Sequence, residues 1–325
     1  MKVLITGGGG FIGHRLAREL LERGTLAAPD GAPAAISAIK LLDRAFPPAP
    51  DARLTCVPGD LSAPGLIYAA LDRDTAAVFH LAAVVSAGAE ADFDLGYRVN
   101  LDGTRLLLEA CRGLQRPPRL VFASSVAAFG GDLPAVLDDA TTPNPQTSYG
   151  AQKVIGEYLV SDYTRKGYVD GRSLRLPTIV VRPGRPNLAA SSFASSIFRE
   201  PLNGVVCECP VPESTGIWLL SPRRVVDALI HAHDLPAAAW GVNRVLNLPG
   251  ITVTVAEGVA ALRRIAGEAA AARVRFAPDE RINRIVQGWP VRFRTPRATA
   301  LGFAADPDID AVIRAYVADE GLQVS

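Results

Sequence analysis

Three side chains in the middle of the chain have the types and the spacing for taking a proton from a hydroxyl group. Tyr149 and Lys153 stand four residues apart in a helical pattern, so they share one helix face and the ammonium can lie close to the phenol. A phenol is a poor base at its ordinary pKa of about 10, and a nearby cation lowers that pKa by stabilising the phenolate. Ser125, at the end of an apolar run, can hydrogen-bond the same oxygen. We therefore predict that Ser125, Tyr149 and Lys153 are catalytic.

A glycine-rich turn at the start of the chain has the pattern of a dinucleotide site. Gly7, Gly10 and Gly13 follow the apolar run 2–5 in the spacing GxxGxxG and precede a helical pattern. Such glycines permit a tight turn, close approach of the backbone to a pyrophosphate, and close packing of the helix on the strand. The pyrophosphate then lies at a helix N-terminus, which favours negative charge. Phe11 and Ile12, within the motif, are assigned to the same site.

The cofactor that this site predicts is NAD. A strand expected over residues 38–42 ends at Asp43, whose carboxylate can accept hydrogen bonds from ribose hydroxyls and repel a 2′-phosphate. Residues 25–35 contain Pro29, Gly31 and Pro33, so we predict an inserted loop that lengthens the distance from the glycines to Asp43. Arg44 follows directly and could accommodate a 2′-phosphate, which leaves the strictness of the NAD preference open.

The order of the elements predicts an α/β fold. Strands are expected at 2–5, 38–42, 54–57, 77–81, 120–123 and 174–180, and the clearest helices at 99–111 and 148–164. Apolar strands alternating with helices indicate a Rossmann-type, doubly wound parallel sheet. We expect an NAD-binding domain over residues 1–181, to which a later strand and helix around 217–247 could be added. Residues 182–325, which prolines break into short segments, are expected to form a smaller, mainly substrate-binding C-terminal lobe.

Composition argues for small-molecule chemistry. The 325 residues carry a net charge of +1, so no nucleic-acid or membrane surface is predicted. No apolar run reaches the roughly 18 residues of a membrane span, and the N-terminus has the pattern of a core strand rather than a signal peptide. We therefore expect a cytoplasmic location. The 4 cysteines include no CxxC pair and the 4 histidines are scattered, so no metal site is predicted.

Together these motifs resemble the extended short-chain dehydrogenase/reductase family, over most of the chain. Thr6 to Gly13 matches the family's pyrophosphate loop, and the resemblance implies that Asp60 and Leu61 touch the adenine. The run 80–83 is similar to the family's loop over the cofactor, and Asn100 matches its structural asparagine. The further residues that we assign to the cofactor are Leu81, Ala82, Ala83, Ser124, Tyr149, Lys153, Thr178 and Ile179. The family's tendency to pair through helices flanking the active site implies a homodimer.

The second half of the chain narrows the resemblance to the D-erythronate dehydrogenase subgroup. The matching segments are 182–187, 189–195 and 199–202, together with Asn247-Leu248-Pro249-Gly250 and the run 252–257. The resemblance implies oxidation of the hydroxyl next to the carboxylate of D-erythronate, a four-carbon sugar acid, with formation of the 2-keto acid and NADH.

A small hydroxy acid needs an anchor for its carboxylate, and the planar fork of an arginine fits that group. Arg182 and Arg185 are the candidates, although a structural ion pair is an equal interpretation of Arg182. The remaining candidates for substrate contact are Ser86, Ser125, Tyr149, Thr178 and Ser192. A solvated loop serine is the plain interpretation of Ser86, and a helix cap that of Ser192.

Three alternatives use the same sheet. A nucleotide-sugar 4-epimerase would employ the same serine, tyrosine and lysine around a larger cleft, and an L-threonine dehydrogenase is another small-substrate enzyme. A noncatalytic NAD-binding regulator would commonly lose the tyrosine or the lysine, and this chain keeps both. Val126-Ala127, where related dehydratases carry an acidic pair, argues against a dehydratase.

Overall fold

A seven-stranded sheet is the largest sheet in the part of the chain that the computed structural model describes, residues 1–47, 51, 53–184 and 190–324. The strands are β1 (Lys2–Thr6), β2 (Thr25–Ala27), β3 (Pro33–Ala35), β4 (Ala38–Asp43), β5 (Leu54–Pro58), β6 (Thr75–His80), β7 (Arg119–Ser125), β8 (Asp170–Leu176), β9 (Thr178–Ile179), β10 (Cys207–Cys209), β11 (Gly216–Leu220), β12 (Val245–Asn247), β13 (Ile251–Thr254) and β14 (Val274–Phe276).

Helices separate these strands. They are α1 (Phe11–Arg23), α2 (Pro64–Ala70), α3 (Ser86–Ala91), α4 (Phe93–Gly96), α5 (Gly103–Arg112), α6 (Ser148–Arg165), α7 (Phe193–Leu202), α8 (Pro222–Asp234), α9 (Ala237–Trp240), α10 (Val255–Ala271), α11 (Glu280–Gln287), α12 (Pro296–Ala300) and α13 (Ile309–Asp319). A π-helical segment, Tyr97–Asp102, precedes α5, and short 3₁₀ segments occur at Val126–Ala128 and Ala190–Ser192.

The strand order of the large sheet is β12-β8-β7-β6-β1-β4-β5. β1 pairs in parallel with β4 on one side and with β6 on the other, and the pairs β4–β5 and β6–β7 are also parallel. The order therefore reverses at β1, as expected for the predicted doubly wound sheet. In such sheets ligands bind beyond the carboxyl ends of the strands at the reversal, where the glycine turn follows β1.

The chain divides into two compact units. The first comprises residues 1–128, 145–175 and 226–246. Its core packs apolar side chains of β1, β6 and β7 against those of α2 and α5, among them Leu4, Val78 and Leu107. The second comprises residues 129–144, 176–225 and 247–325. Its own core joins α7, α10 and α13, with Phe198, Leu262 and Ile313 fully or almost fully buried. Trp240 in the first unit and Trp218 in the second are buried.

Two predictions about local structure were wrong in detail. The strand expected over 174–180 is interrupted at Pro177: β8 ends at Leu176, and Thr178 and Ile179 pair instead with β11 in a three-stranded sheet. Proline lacks the N–H that would continue the ladder. The loop expected over 25–35 is a short antiparallel hairpin, β2–β3. Its Pro-Asp-Gly turn has Gly31 at a φ of 86°, which favours glycine.

The described helices include none that is long and apolar enough to cross a membrane.

Candidate active site

The glycine turn after β1 is shaped so that side chains would not fit. Gly7 has a φ of 73°, and a Cβ there would lie 2.7 Å from the backbone nitrogen of Ala82. A Cβ on Gly13 would lie 2.1 Å from the carbonyl oxygen of Gly7. Helix α1 begins directly after Gly10, which has no side chain to cap the first N–H groups. The turn therefore lets a ligand approach the backbone closely at the N-terminus of α1. This geometry fits the pyrophosphate of a dinucleotide.

At the end of β4, the carboxylate of Asp43 is held by backbone donors. Oδ2 accepts from the N–H of Gly9 at 3.1 Å, and Oδ1 accepts from the N–H of Arg44 at 2.7 Å. The carboxylate is thus oriented beside the glycine turn, where the predicted ribose contact requires it. Arg44 itself is exposed.

Asp60, after β5, is oriented by Ser62, whose N–H and hydroxyl both donate to Oδ1, at 2.8 and 2.7 Å. These bonds, with smaller contributions from the charges of Arg44 and Arg98, hold the pKa of Asp60 below its ordinary value. The carboxylate predicted to lie near the adenine therefore stays ionised. Leu61 is buried and packs into the core of the first unit.

The helix that carries Tyr149 and Lys153 is tied closely to β7. Thr147 caps α6 by accepting from the N–H of Gly150 at 3.1 Å. Gly150 has to be glycine, because a Cβ there would lie 2.1 Å from the carbonyl oxygen of Ala127. Lys153 donates from Nζ to the carbonyl oxygen of Ala123 at 2.7 Å. Helix α6 is therefore held against the segment that includes Ser125.

Lys153 lies in an apolar and aromatic setting. Its Nζ is 5.5 Å from the ring centroid of Tyr149 and 4.8 Å from that of Phe122. Burial lowers the pKa of Lys153 to about 8, while the carboxylate of Glu157 acts in the opposite direction. A cation held over the phenol ring stabilises the phenolate, so the predicted electrostatic pairing of Tyr149 with Lys153 is geometrically available.

The two serines at the end of β7 differ in their surroundings. Ser125 is half-buried, and its Oγ accepts from the N–H of Ala127 at 3.1 Å, so the hydroxyl proton can still be donated. Ser124 is buried and its hydroxyl donates to the carboxylate of Glu157. The side chain of Ser124 is thus engaged inside the protein, and any contact with a cofactor would have to come from its backbone.

His80 connects the glycine turn to the helical segment around Asn100. Its Nδ1 lies 2.7 Å from Oγ1 of Thr6, and its Nε2 lies 2.8 Å from Oγ1 of Thr104. The hydroxyl of Thr104 donates to the carbonyl oxygen of Asn100 at 2.6 Å, so it accepts from Nε2–H, and Nδ1 accepts from Thr6. Burial lowers the pKa of His80 to about 3, in keeping with this neutral tautomer. The role of His80 is therefore structural.

Asn100 holds the loop after β6. Its Oδ1 accepts from the N–H of Val84 at 2.7 Å, and its Nδ2 donates to the carbonyl oxygen of Val84 at 2.9 Å. The same Nδ2 donates to Oε1 of Gln152 at 2.7 Å. Leu81, Ala82 and Ala83 lie in this loop, which follows β6 beside the glycine turn. Asn100 therefore fixes the loop relative to helix α6.

Ser86 does not lie in a loop, contrary to the prediction: it is the first residue of α3. The local sequence is compatible with a short helix, because the segment Ser86-Ala87-Gly88-Ala89-Glu90-Ala91 consists mostly of small residues and three of them are alanine.

Several predicted substrate residues belong to the second unit. Arg182 donates from Nη2 to Oγ of Ser191 at 3.1 Å, and its backbone N–H donates to Oγ of Ser195 at 3.0 Å. Its carbonyl oxygen accepts from Arg199 at 2.8 Å. Ser192 occupies the N-cap position of α7, but its side chain makes no capping hydrogen bond there. Thr178 and Ile179 form β9, and Arg185 lies outside the described residues.

Four buried polar residues of this region were missed at the level of sequence: Thr104, Gln152, Glu157 and Arg175. Glu157 carried a usable signal, since it follows Lys153 by four residues on the same helix. Arg175 carried none, because its partner is 18 residues away. Among the residues that the structure describes, no group of three or more histidine, cysteine and acidic side chains could hold a metal ion.

Comparison with known proteins gives a consistent result. The chain matches the NAD dependent epimerase/dehydratase family over residues 3–242. It is 58% identical over 323 residues to a D-erythronate dehydrogenase of Cupriavidus necator, covering 99% of both chains. It is 45% identical to a D-erythronate dehydrogenase of Haemophilus influenzae, covering 98% of this chain and 99% of the relative. A crystal structure described as a nucleoside-diphosphate-sugar epimerase from Agrobacterium tumefaciens has a TM-score of 0.93 and 42% identity, covering 100% of this chain and 96% of that one.

Proposed function

Because the chain belongs to the NAD dependent epimerase/dehydratase family, we propose that it oxidises the C2 hydroxyl of D-erythronate to 2-dehydro-D-erythronate with NAD as acceptor. One observation carries this proposal: the relative with 58% identity and the name D-erythronate dehydrogenase aligns with 99% of both chains. The alignment therefore includes the second unit, where the substrate segments recognised in the sequence lie.

The chain's own groups supply the proton chemistry. Tyr149 takes the proton of the C2 hydroxyl. NAD held at the glycine turn would supply the hydride acceptor, and loss of the proton and the hydride converts the C2 alcohol into a ketone. Lys153 stays protonated and stabilises the phenolate of Tyr149, and it would also hydrogen-bond the nicotinamide ribose of bound NAD. Ser125 donates a hydrogen bond to the substrate oxygen and orients it. Lys153, packed against the ring of Tyr149 and bonded to Ala123, is placed for this role.

The preference for NAD is assigned to Asp43. Its carboxylate is oriented by the N–H groups of Gly9 and Arg44, and each oxygen keeps lone pairs that can accept from the 2′- and 3′-hydroxyls of the ribose. A 2′-phosphate there would meet a like charge. The turn of Gly7, Gly10 and Gly13 with the start of α1 holds the pyrophosphate, and Asp60 lies at the adenine end.

Arg182 is our candidate for the substrate carboxylate. Its guanidinium has five N–H donors and lies beside Ser191, just before the N-terminus of α7. A guanidinium and a helix N-terminus both favour an anion, so this corner of the second unit suits a carboxylate. Arg185 remains a second candidate, and Ser192, Thr178 and Ser86 are proposed contacts for the hydroxyls.

A homodimer is also proposed. The catalytic helix α6 exposes Ile155 and Tyr158, and nearby in the same unit Phe93 is also exposed. Large apolar side chains on a helix flanking an active site suit a second copy of the chain, which would cover them. Light scattering behind size exclusion tests this: a mass of one chain over the working concentration range would contradict it.

A nucleotide-sugar epimerase is the second candidate, because the relative of known structure with 42% identity is described in that way. An epimerase returns the hydride to its substrate and releases no net NADH. The deciding experiment is NADH formation with D-erythronate, L-threonate, L-threonine and D-glycerate, with NADP in a parallel set. Turnover on D-erythronate supports the proposal. If none of the four acids gives NADH and the protein epimerises a nucleotide sugar, the second candidate is the function.

A further inference from the structure

A buried carboxylate lies one helical turn beyond the catalytic lysine. Glu157 is 3% exposed and follows Lys153 by four residues on α6, so both side chains lie on the helix face that packs against β7. Isolated carboxylates are rarely buried, because the free energy lost on dehydration is far larger than the stabilisation from a single contact. A buried glutamate at this position therefore needs partners that fix it.

Those partners come from the two strands beneath the helix. Arg175 on β8 donates from Nε to Oε1 at 2.9 Å and from Nη2 to Oε2 at 2.7 Å. Ser124 on β7 donates its hydroxyl to Oε1. Arg175 is also buried, so the pair is a bidentate ion pair in a low-dielectric setting. These two parallel hydrogen bonds from the guanidinium fix the orientation of the carboxylate.

The same helix makes two neighbouring bonds to the end of β7. Lys153 donates to the carbonyl oxygen of Ala123, and Glu157 accepts from the hydroxyl of Ser124. The next residue of β7 is Ser125. Two consecutive residues of the strand are thus fixed to the helix that carries Tyr149, directly before the serine that would orient the substrate.

We propose that Glu157 is a positioning residue of the dehydrogenase: locked by Arg175, it keeps the buried Lys153 protonated and holds the end of β7, and so Ser125, in register with Tyr149. The inference rests on the function proposed above and assigns no contact with the substrate to Glu157.

Other groups also face Lys153 and enter the expected pH dependence. They are Tyr149 and Glu157 on its own helix, His80 on β6, the ring of Phe122 and the carbonyl of Ala123 on β7, and Arg175 behind Glu157 on β8. His80 is neutral in the native tautomer, so it contributes no charge near neutral pH. Glu157 is therefore the anion whose removal should change the charge of Lys153.

The sequence offers a direct measurement, because it contains only the lysines 2, 40, 153 and 166. Lysine labelled with ¹³C at Cε gives few resonances, and Lys153→Arg identifies the one of interest. Its chemical shift against pH yields the titration midpoint of Lys153 in the NAD-bound enzyme. Exposed Lys166 serves as an internal control.

In Glu157→Gln, which keeps the size and an acceptor for Ser124, the Lys153 midpoint should fall by about one pH unit. The alkaline limb of kcat/KM for D-erythronate should move by the same amount. Asp162→Asn removes an exposed carboxylate from the same helix and should move neither. The double variant Glu157→Gln with Arg175→Met avoids leaving a buried unpaired arginine, and it should lower the midpoint as well.

Ser124→Ala separates the two proposed roles of Glu157, which are to keep Lys153 protonated and to hold the end of β7. It should reduce kcat about threefold to tenfold by loosening the end of β7, with the Lys153 midpoint unchanged. An unchanged midpoint in both variants that lack Glu157 would overturn the proposal, whatever their activity. A lowered midpoint in an enzyme that proves inactive on D-erythronate would support the role of Glu157 and overturn only the assigned substrate.

Discussion

The N–H of Gly9 donates to Oδ2 of Asp43 at 3.1 Å, so the glycine turn that should hold the pyrophosphate also orients the carboxylate that should read the ribose. A Cβ on Gly9 would lie 1.9 Å from the carbonyl oxygen of Ala45, so the turn packs directly against the segment after β4. Contacts to the pyrophosphate and to the adjacent ribose would therefore be coupled through one short turn.

This coupling leads to a prediction for cofactor choice. Asp43→Ala removes the ribose acceptor and the repulsion of a 2′-phosphate, so the ratio of kcat/KM for NAD to that for NADP should narrow about tenfold to a hundredfold. Initial rates with each cofactor measure it. Asp30→Ala, in the exposed β2–β3 turn, is the control and should retain the wild-type ratio. An unchanged ratio of NAD to NADP efficiency in Asp43→Ala would mean that a group other than Asp43 binds the ribose hydroxyls and determines the cofactor preference.

Tyr149→Phe tests the base. The variant keeps the ring that packs near Lys153 and loses only the phenolic oxygen, so kcat should fall about 10²-fold to 10⁴-fold while NAD affinity changes little. Single-turnover kinetics and NAD titration measure the two quantities. Tyr68→Phe, on α2 with a side chain that is 55% exposed, is the matched control. Turnover near the wild-type rate in Tyr149→Phe would exclude Tyr149 as base.

Arg182→Ala tests the carboxylate anchor. Loss of a charged donor should raise KM for D-erythronate about tenfold to a hundredfold and leave KM for NAD nearly unchanged. Arg263→Ala removes an exposed arginine of the same unit and should have no such effect. Because Arg182 also bonds Ser191, thermal unfolding of each variant is measured alongside. An unchanged substrate KM in a stable Arg182→Ala protein would point to Arg185.

The buried histidine predicts how stability depends on pH. Burial lowers the pKa of His80 from 6.5 to about 3, so between these values the unfolded chain binds a proton that the native protein excludes. Its contribution is fully present above pH 6.5 and is lost as the pH falls toward 3, by at most about 1.4 kcal/mol per pH unit.

Urea unfolding at a series of pH values measures this dependence. His80→Asn removes the titrating group, so the free energy of unfolding should fall less steeply with acid than in the wild type. His14 and His233, whose pKa values burial also lowers, are present in both proteins and cancel in the comparison. Identical slopes would show that His80 does not remain neutral in the native state.

Local sequence was enough to predict the fold class and to select the candidate site residues. The glycine spacing from Gly7 to Gly13 and the four-residue step from Tyr149 to Lys153 are features of a single turn and a single helix. Alternation of apolar strands with helices permits few arrangements other than a doubly wound parallel sheet. These features depend on backbone periodicity and turn geometry, which neighbouring residues determine.

Tertiary structure decided how the site is held together. His80 meets Thr6 across 74 positions and Thr104 across 24, and Glu157 meets Arg175 and Ser124 on two different strands. Likewise Pro177 ends one strand, but only pairing with β11 assigns Thr178 and Ile179 to a second sheet. Such partners are chosen when the strands align and polar groups lose their water, because each buried donor or acceptor must then be satisfied by whatever the packing brings within reach.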